Sequence, residues 1–288
     1  MPEVRRASHR YCARLVGSVF DGEDIVQDTL LRAYAAIAEL DPATPLKPWL
    51  FRIAHNRAID HLRSQAMRQG EPFDATADIA DADAPDPLEM LMRQEAVGTA
   101  MSRFLLLPIA QRSAVILKDL LGHSIEEIAE LLDLTVNAVK AALHRGRRRL
   151  QEINATPYAP PAGRIASAEA TRYAALFNQR NWDMLRSLLA DDVRLNQTAR
   201  AERVGKSAVE IFFTFYAAAE GWRVAPARVE GREVIAVFEG TDQYLPSYLM
   251  EIAWREGRIA AIRDFRHARY IAEGAEIVLA SAEPANPG

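Results

Sequence analysis

Five cations and no acid stand between Val136 and Leu150, namely Lys140, Arg145, Arg147, Arg148 and Arg149. If this stretch is one helix, Val136, Val139 and Leu143 pack inward and Asn137, Lys140, Ala141, His144 and Arg148 face out. Polar groups along such a face can read base edges while the arginines hold phosphates. A second basic stretch, residues 47 to 68, holds five Lys or Arg and one Asp and begins with Trp49 and Phe51. Aromatic rings stack on unpaired bases and cations hold the backbone, so this basic helix led by Trp49 and Phe51 is a candidate for contact with single-stranded nucleic acid. The same pattern also suits a core helix with Trp49 buried and a solvated charged face. Near the other end of the chain, Asp264 and His267 could transfer protons, with Tyr173, Trp182, Tyr248 and Arg266 lining a candidate pocket. Strand alternation puts Asp264 and Arg266 on the face opposite Phe265 and His267, so only one pair points inward. The plainer reading is an exposed Asp264–Arg266 ion pair and a core His267. The histidines lack HxxxH or HExxH spacing, and Cys12 is the single cysteine. Neither a metal site nor a disulfide follows.

The elements that would hold these residues can be read from periodicity. Apolar residues at 26, 30, 33, 34 and 37 form a helical stripe, with Asp21 as N-cap and Asp24, Gln27, Asp28 and Arg32 on the opposite face. A second helix begins at Pro48 and runs to Arg63, burying Leu50, Ile53, Ala54, Ala58 and Leu62 and exposing Arg52, His55, Asn56, Asp60 and Arg63. Residues 125 to 143 fit two short helices joined by a tight turn. Ile128, Ala129 and Leu132 face inward, Asp133 sits where the turn wants a left-handed residue, and Thr135 caps the second helix. That is a helix-turn-helix, whose second helix suits a DNA major groove. Beyond residue 164, helical patterns cover Ile165–Asn178, Trp182–Leu189 and Ser207–Ala219. Strands are expected at Glu233–Glu239, Ser247–Trp254 and Arg258–His267, with Gly257 marking a hairpin. Helices followed by a curved antiparallel sheet predict an α+β cone.

The chain's 288 residues carry a net charge of −4, which hides opposed segments. Residues 70 to 95 hold one basic and eight acidic side chains and no apolar period, the composition of a flexible linker. The segments on either side, 1–69 and 96–163, are each +2. A second break at 154–163 has three prolines and no charge, as in an extended spacer. The expected organisation is therefore multidomain: two all-α modules at 1–69 and 96–153, and an α+β module at 164–288. No apolar run is long enough to span a membrane and no signal peptide is evident. A cytoplasmic location is expected.

The stretches Asp24–Ala33 and Pro48–Arg63 resemble region 2 of the extracytoplasmic-function (ECF) sigma factors, of the sigma-70 family, and Leu107–Leu150 resembles their region 4. The resemblance implies an RNA polymerase subunit that selects promoters and initiates transcription. It places Asp24, Gln27 and Asp28 on the polymerase β′ clamp and region 4 near the β flap. It puts Trp49, Arg52, Asn56 and Arg63 near the −10 element, and Asn137, Lys140, His144, Arg145 and Arg148 near the −35 element. Ala141 and Ala142 depart from the Ser-Arg common in the family, which leaves fewer polar groups for the groove. The spacing of Leu188–Val193, Gly205–Ser207 and the closing strands resembles the SnoaL-like branch of the nuclear-transport-factor-2-like fold. The Asp-Gly-Gly-Gly-Lys signature of one sigma group with such a domain is absent. The resemblance implies no cofactor, no metal and no catalytic residue. It implies a regulatory C-terminal domain, with an unidentified small ligand as a candidate partner. Two other readings compete: a ligand-responsive helix-turn-helix repressor or activator, and a SnoaL-like isomerase or hydrolase fused to a DNA-binding module.

Overall fold

The computed structural model describes residues 2–70, 73, 101–156, 165–240 and 245–280. The 70–95 linker and the 154–163 spacer lie outside these, apart from 70, 73 and 154–156. The chain divides into two compact units, 1–159 and 160–288.

The first unit is helical. Helix α1 (Pro2–Val16) has no counterpart in the sequence reading. Helix α2 (Val19–Ala36) is capped by Ser18, whose Oγ accepts the Asp21 N–H at 3.1 Å, so the cap stands three residues before the expected Asp21. Gly22 lets α1 and α2 touch, since a Cβ there would lie 2.7 Å from the Ala13 backbone. Helix α3 (Leu46–Gln69) starts two residues before Pro48 and runs six past Arg63, ending on left-handed Gly70. The other helices are α4 (Met101–Phe104), α5 (Ile109–Val115, continuing as a π-helical turn to Leu120), α6 (Ile125–Leu132) and α7 (Val136–Asn154). A single buried cluster joins Tyr11, Val26 and Phe51 to Phe104, Leu117 and Val139, so the two expected helical modules share a core. Arg112 reinforces this by donating to the backbone carbonyls of Leu15, Leu105 and Leu107.

The second unit is α+β. Helices α8 (Ala168–Asn178), α9 (Trp182–Ser187), α10 (Lys206–Ala218) and α11 (Tyr270–Gly274) accompany seven strands. These are β1 (Leu189–Gln197), β2 (Ala201–Val204), β3 (Trp222–Val229), β4 (Arg232–Glu239), β5 (Tyr248–Arg255), β6 (Arg258–Asp264) and β7 (Ile277–Leu279). The sheet order is β2-β1-β6-β5-β4-β3-β7. Strands β1 and β6 pair in parallel, which corrects the all-antiparallel expectation. The sequence cannot show this pairing, because 60 residues separate the end of β1 at Gln197 from the start of β6 at Arg258. The β5–β6 hairpin does turn at Glu256-Gly257, both with positive φ, as a tight two-residue turn requires. Tyr173, Phe177, Phe213 and Tyr216 from the helices pack with Leu195, Val237 and Met250 of the sheet.

Candidate nucleic-acid interface

The helix-turn-helix forms because each end of its turn is locally fixed. Ser124 Oγ accepts the Glu127 N–H at 3.0 Å and the Glu127 carboxylate accepts the Ser124 N–H at 2.8 Å, a capping box that starts α6. Its Ser-x-x-Glu signal is plain in the sequence, though the expectations above missed it. Asp133 ends α6 with φ 56°, in the left-handed region, and Thr135 Oγ1 accepts the Ala138 N–H to start α7. Asn137, Lys140 and Arg148 are exposed on α7, while His144 and Arg145 are half-buried.

Three expectations for α7 fail. Ala141 is buried and Val136 is exposed, because α7 packs on both α5 and α6 and its inner stripe shifts to include Ala138, Ala141 and Ala142. The two alanines that depart from the family pattern are thus packing positions. Arg147 is not part of a phosphate-binding cluster. Its Nε and Nη2 donate to the Asp119 carboxylate at 3.0 and 2.6 Å, in a pair that is almost wholly buried.

On α3, Trp49 is half-buried and Arg52, Asn56 and Arg63 are exposed. Phe51, offered as a leading aromatic, is fully buried and meets His123 edge-on at 5.2 Å. His55, expected to face out, turns inward: its Nδ1 shares a 2.7 Å hydrogen bond with the Tyr11 hydroxyl, and burial pulls its pKa down to about 4. Desolvation of the ring there disfavours its charged form. Arg52 Nη2 donates to the carbonyl and carboxylate of Glu130 at 3.2 and 3.1 Å, across a cleft of about 620 Å³. Arg52 and Asn56 line one wall of that cleft, and Glu130 through Leu134 with Val136 line the other. The α3 surface and the helix-turn-helix therefore face each other.

On α2, Asp24 is exposed and Gln27 is half-buried. Asp28 is also half-buried and binds both Arg57 and Arg32. Desolvation opposes ionisation of Asp28, but hydrogen bonds from these arginines win and hold its carboxyl below the usual range. The same helix exposes Leu31 and Tyr34 at 70% and 82%, which corrects the placing of Tyr34 in the inward apolar stripe.

In the second unit, Tyr173, Tyr248 and Asp264 are fully buried, Trp182 and Arg266 are half-buried, and His267 is exposed. The expected alternation fails because β6 ends at Asp264, so Asp264 and Phe265 are buried in succession. Asp264 is not an exposed ion pair and His267 is not a core residue. Instead, His267 Nε2 lies 3.3 Å from Arg200 Nη1, and partial burial together with three neighbouring arginines lowers its pKa. Arg266 stacks on the Phe215 ring at 3.5 Å. Tyr216, which the sequence reading overlooked, bonds Tyr248 hydroxyl to hydroxyl beside Asp264. Among the described residues, no group of three or more His, Cys, Asp or Glu could hold a metal, and no helix is long and apolar enough to cross a membrane.

A capped helix-turn-helix with an exposed polar and cationic face, joined to a basic three-helix module, defines a DNA-reading protein of the sigma-70 type. Residues 3–68 match sigma-70 region 2, residues 100–150 match sigma-70 region 4, and residues 170–264 match the SnoaL-like domain. The ECF RNA polymerase sigma factor SigW of Bacillus subtilis is 31% identical over 155 residues, covering 50% of this chain and 81% of SigW. The ECF sigma factor SigG of Mycobacterium tuberculosis is 30% identical over 206 residues, 63% of this chain and 55% of SigG. A crystal structure of M. tuberculosis SigJ, also an ECF sigma factor, aligns over 91% of this chain and 93% of its own at 21% identity, with a TM-score of 0.36. The chain belongs to the ECF RNA polymerase sigma factors, with a SnoaL-like domain after region 4.

Proposed function

We propose that this sigma factor reads the −10 element with Trp49, Arg52, Asn56 and Arg63 on α3, and the −35 element with Asn137, Lys140, His144, Arg145 and Arg148 on α7. Asp24, with Gln27 and Asp28 behind it, meets the polymerase β′ clamp, and region 4 meets the β flap. Three segments carry these roles: 1–69, the linker 70–95, and 96–153. The spacer 154–163 leads to a regulatory domain at 164–288 that acts in the cytoplasm through a small ligand. The role needs no catalysis by the chain itself.

The observation that carries this reading is the cleft between α3 and the helix-turn-helix. The two promoter elements stand about 25 base pairs apart by their names, roughly 85 Å of duplex at 3.4 Å per pair. With α3 and the helix-turn-helix held together across one cleft and by one core, their reading surfaces cannot reach both elements, so the first unit opens when promoter and polymerase bind, and the C-terminal domain biases that opening. Run-off transcription with core polymerase tests this, using the full chain and a chain ending at residue 156. A change in start-site use of several-fold on truncation supports modulation. Equal activity refutes it, and failure to bind core polymerase refutes the whole assignment.

A further inference from the structure

The parallel pairing of β1 with β6 sets Gln197 beside Asp264, so the turn at 198–200 and the segment 265–269 leave the same end of the sheet. Two exposed side chains meet there on the outside of the second unit: Arg200 Nη1 lies 3.3 Å from His267 Nε2. Arginine can only donate, so the ring nitrogen accepts. Arg200 has no ion pair among the described residues, whereas Arg186, Arg232, Arg255, Arg263 and Arg269 of the same unit each pair with an Asp or Glu. Arg266 and Arg269 stand near enough to act on His267 as well. Burial and all three arginines disfavour a charged imidazole, and no carboxylate opposes them. Residues 164–288 hold 16 basic and 17 acidic side chains, so this local excess of cations is not a matter of composition.

We propose that Arg200 and His267 form the binding site of a compact, doubly charged oxyanion, the phosphate group of a small phosphorylated molecule. Arg200 turns from the imidazole and gives two N–H donors to the phosphate, and His267, released from Arg200, donates a ring N–H. Arg266 and Arg269 add positive field from behind. A phosphomonoester brings about 1.5 to 2 negative charges at pH 7, where a carboxylate brings one, so it answers the cluster better. A nucleic-acid strand would need a line of free cations. Here Arg269 is engaged with Glu239 at 2.7 Å and Arg266 with the Phe215 and Trp222 rings, which leaves room for one phosphate. The proposal names a ligand class for the C-terminal domain and rests on the reading of that domain as ligand-responsive, but its test reads binding apart from transcription.

Equilibrium dialysis of the full chain against inorganic phosphate, with acetate as the singly charged control, decides it at about 0.15 M salt. One saturable phosphate site per chain is expected, at least tenfold tighter than for acetate. Arg200→Gln and His267→Ala should each weaken it tenfold or more with an unchanged thermal melt, since both side chains are exposed. Arg255→Gln, whose guanidinium already pairs with Asp192, should leave it unaltered. No saturable binding, indifference to Arg200→Gln, or an equal loss in Arg255→Gln would overturn the site. Displacement of the phosphate by a DNA duplex lacking promoter elements would overturn the small-molecule assignment in favour of a nucleic-acid backbone. Arg200-dependent phosphate binding with unaltered run-off transcription would sustain the site and refute modulation through it.

Discussion

Arg147 and Arg148 are neighbours in one basic run, yet their replacement should have opposite consequences. Arg147→Ala leaves Asp119, 2% exposed, without the guanidinium that now holds both its oxygens. Removing one partner of a buried ion pair costs about 3–5 kcal/mol, because the surviving charge is stranded in low dielectric. For a unit of 159 residues, each kcal/mol shifts the melting temperature by about 2–4 °C, so the transition should fall by roughly 10 °C. Arg148, exposed and facing only Glu152 at 3.6 Å, contributes almost nothing to stability. Arg148→Ala should leave the melt unchanged and remove one phosphate contact, lowering the slope of log affinity against log salt by about 0.9. Thermal melts by circular dichroism and salt titrations of holoenzyme binding to a promoter measure both quantities. If Arg147→Ala melts like the parent while flattening the salt slope, Arg147 is a DNA contact and the packing argument for α7 fails. An apolar Asp119→Leu/Arg147→Met pair should recover most of the lost stability, since it strands no charge.

Asp133→Gly should raise the melting temperature by a few degrees, because glycine relieves about 1 kcal/mol of left-handed strain at φ 56° with no loss of a side-chain contact; unchanged or lower stability would contradict this. Thr135→Ala should cost about 1 kcal/mol in urea denaturation by removing the α7 cap. His55, held neutral with a pKa near 4, lets the unfolded state bind the extra proton. The first unit should therefore be fully stable above pH 6.5 and lose on the order of 3 kcal/mol as pH falls toward 4, a dependence that His55→Gln should flatten. Asp264 has the reverse sign. Burial raises its pKa to about 6, so its stabilising effect is complete below pH 3.8 and is lost as pH rises through 6. Asp264→Asn should thus gain on the parent between pH 5 and 8 in thermal melts of the full chain.

Local signals carried most of what was legible. The turn at Asp133, the Thr135 cap and the Gly257 hairpin are each set by two or three adjacent residues, and each stands where the sequence put it. What failed depends on partners distant in sequence. His55 sits on the face of α3 that helical periodicity marks as polar and outward, and Arg147 belongs to the run read as a phosphate-holding cluster. His55 turns inward, half-buried, and Arg147 is buried, because Tyr11, 44 residues away, and Asp119, 28 away, supply the matching groups. A stripe drawn on one helix assumes one packing partner, and α7 has two, which is why Ala141 moved inward and Val136 outward. The same reasoning separates the two site predictions. The residues proposed to face the promoter are polar residues left over after packing, and of these Arg52, Asn56, Lys140 and Arg148 are exposed. The Asp264 cluster was only half legible. It depends on where β6 ends and on Tyr216 arriving from α10, and neither leaves a mark within a few residues of Asp264.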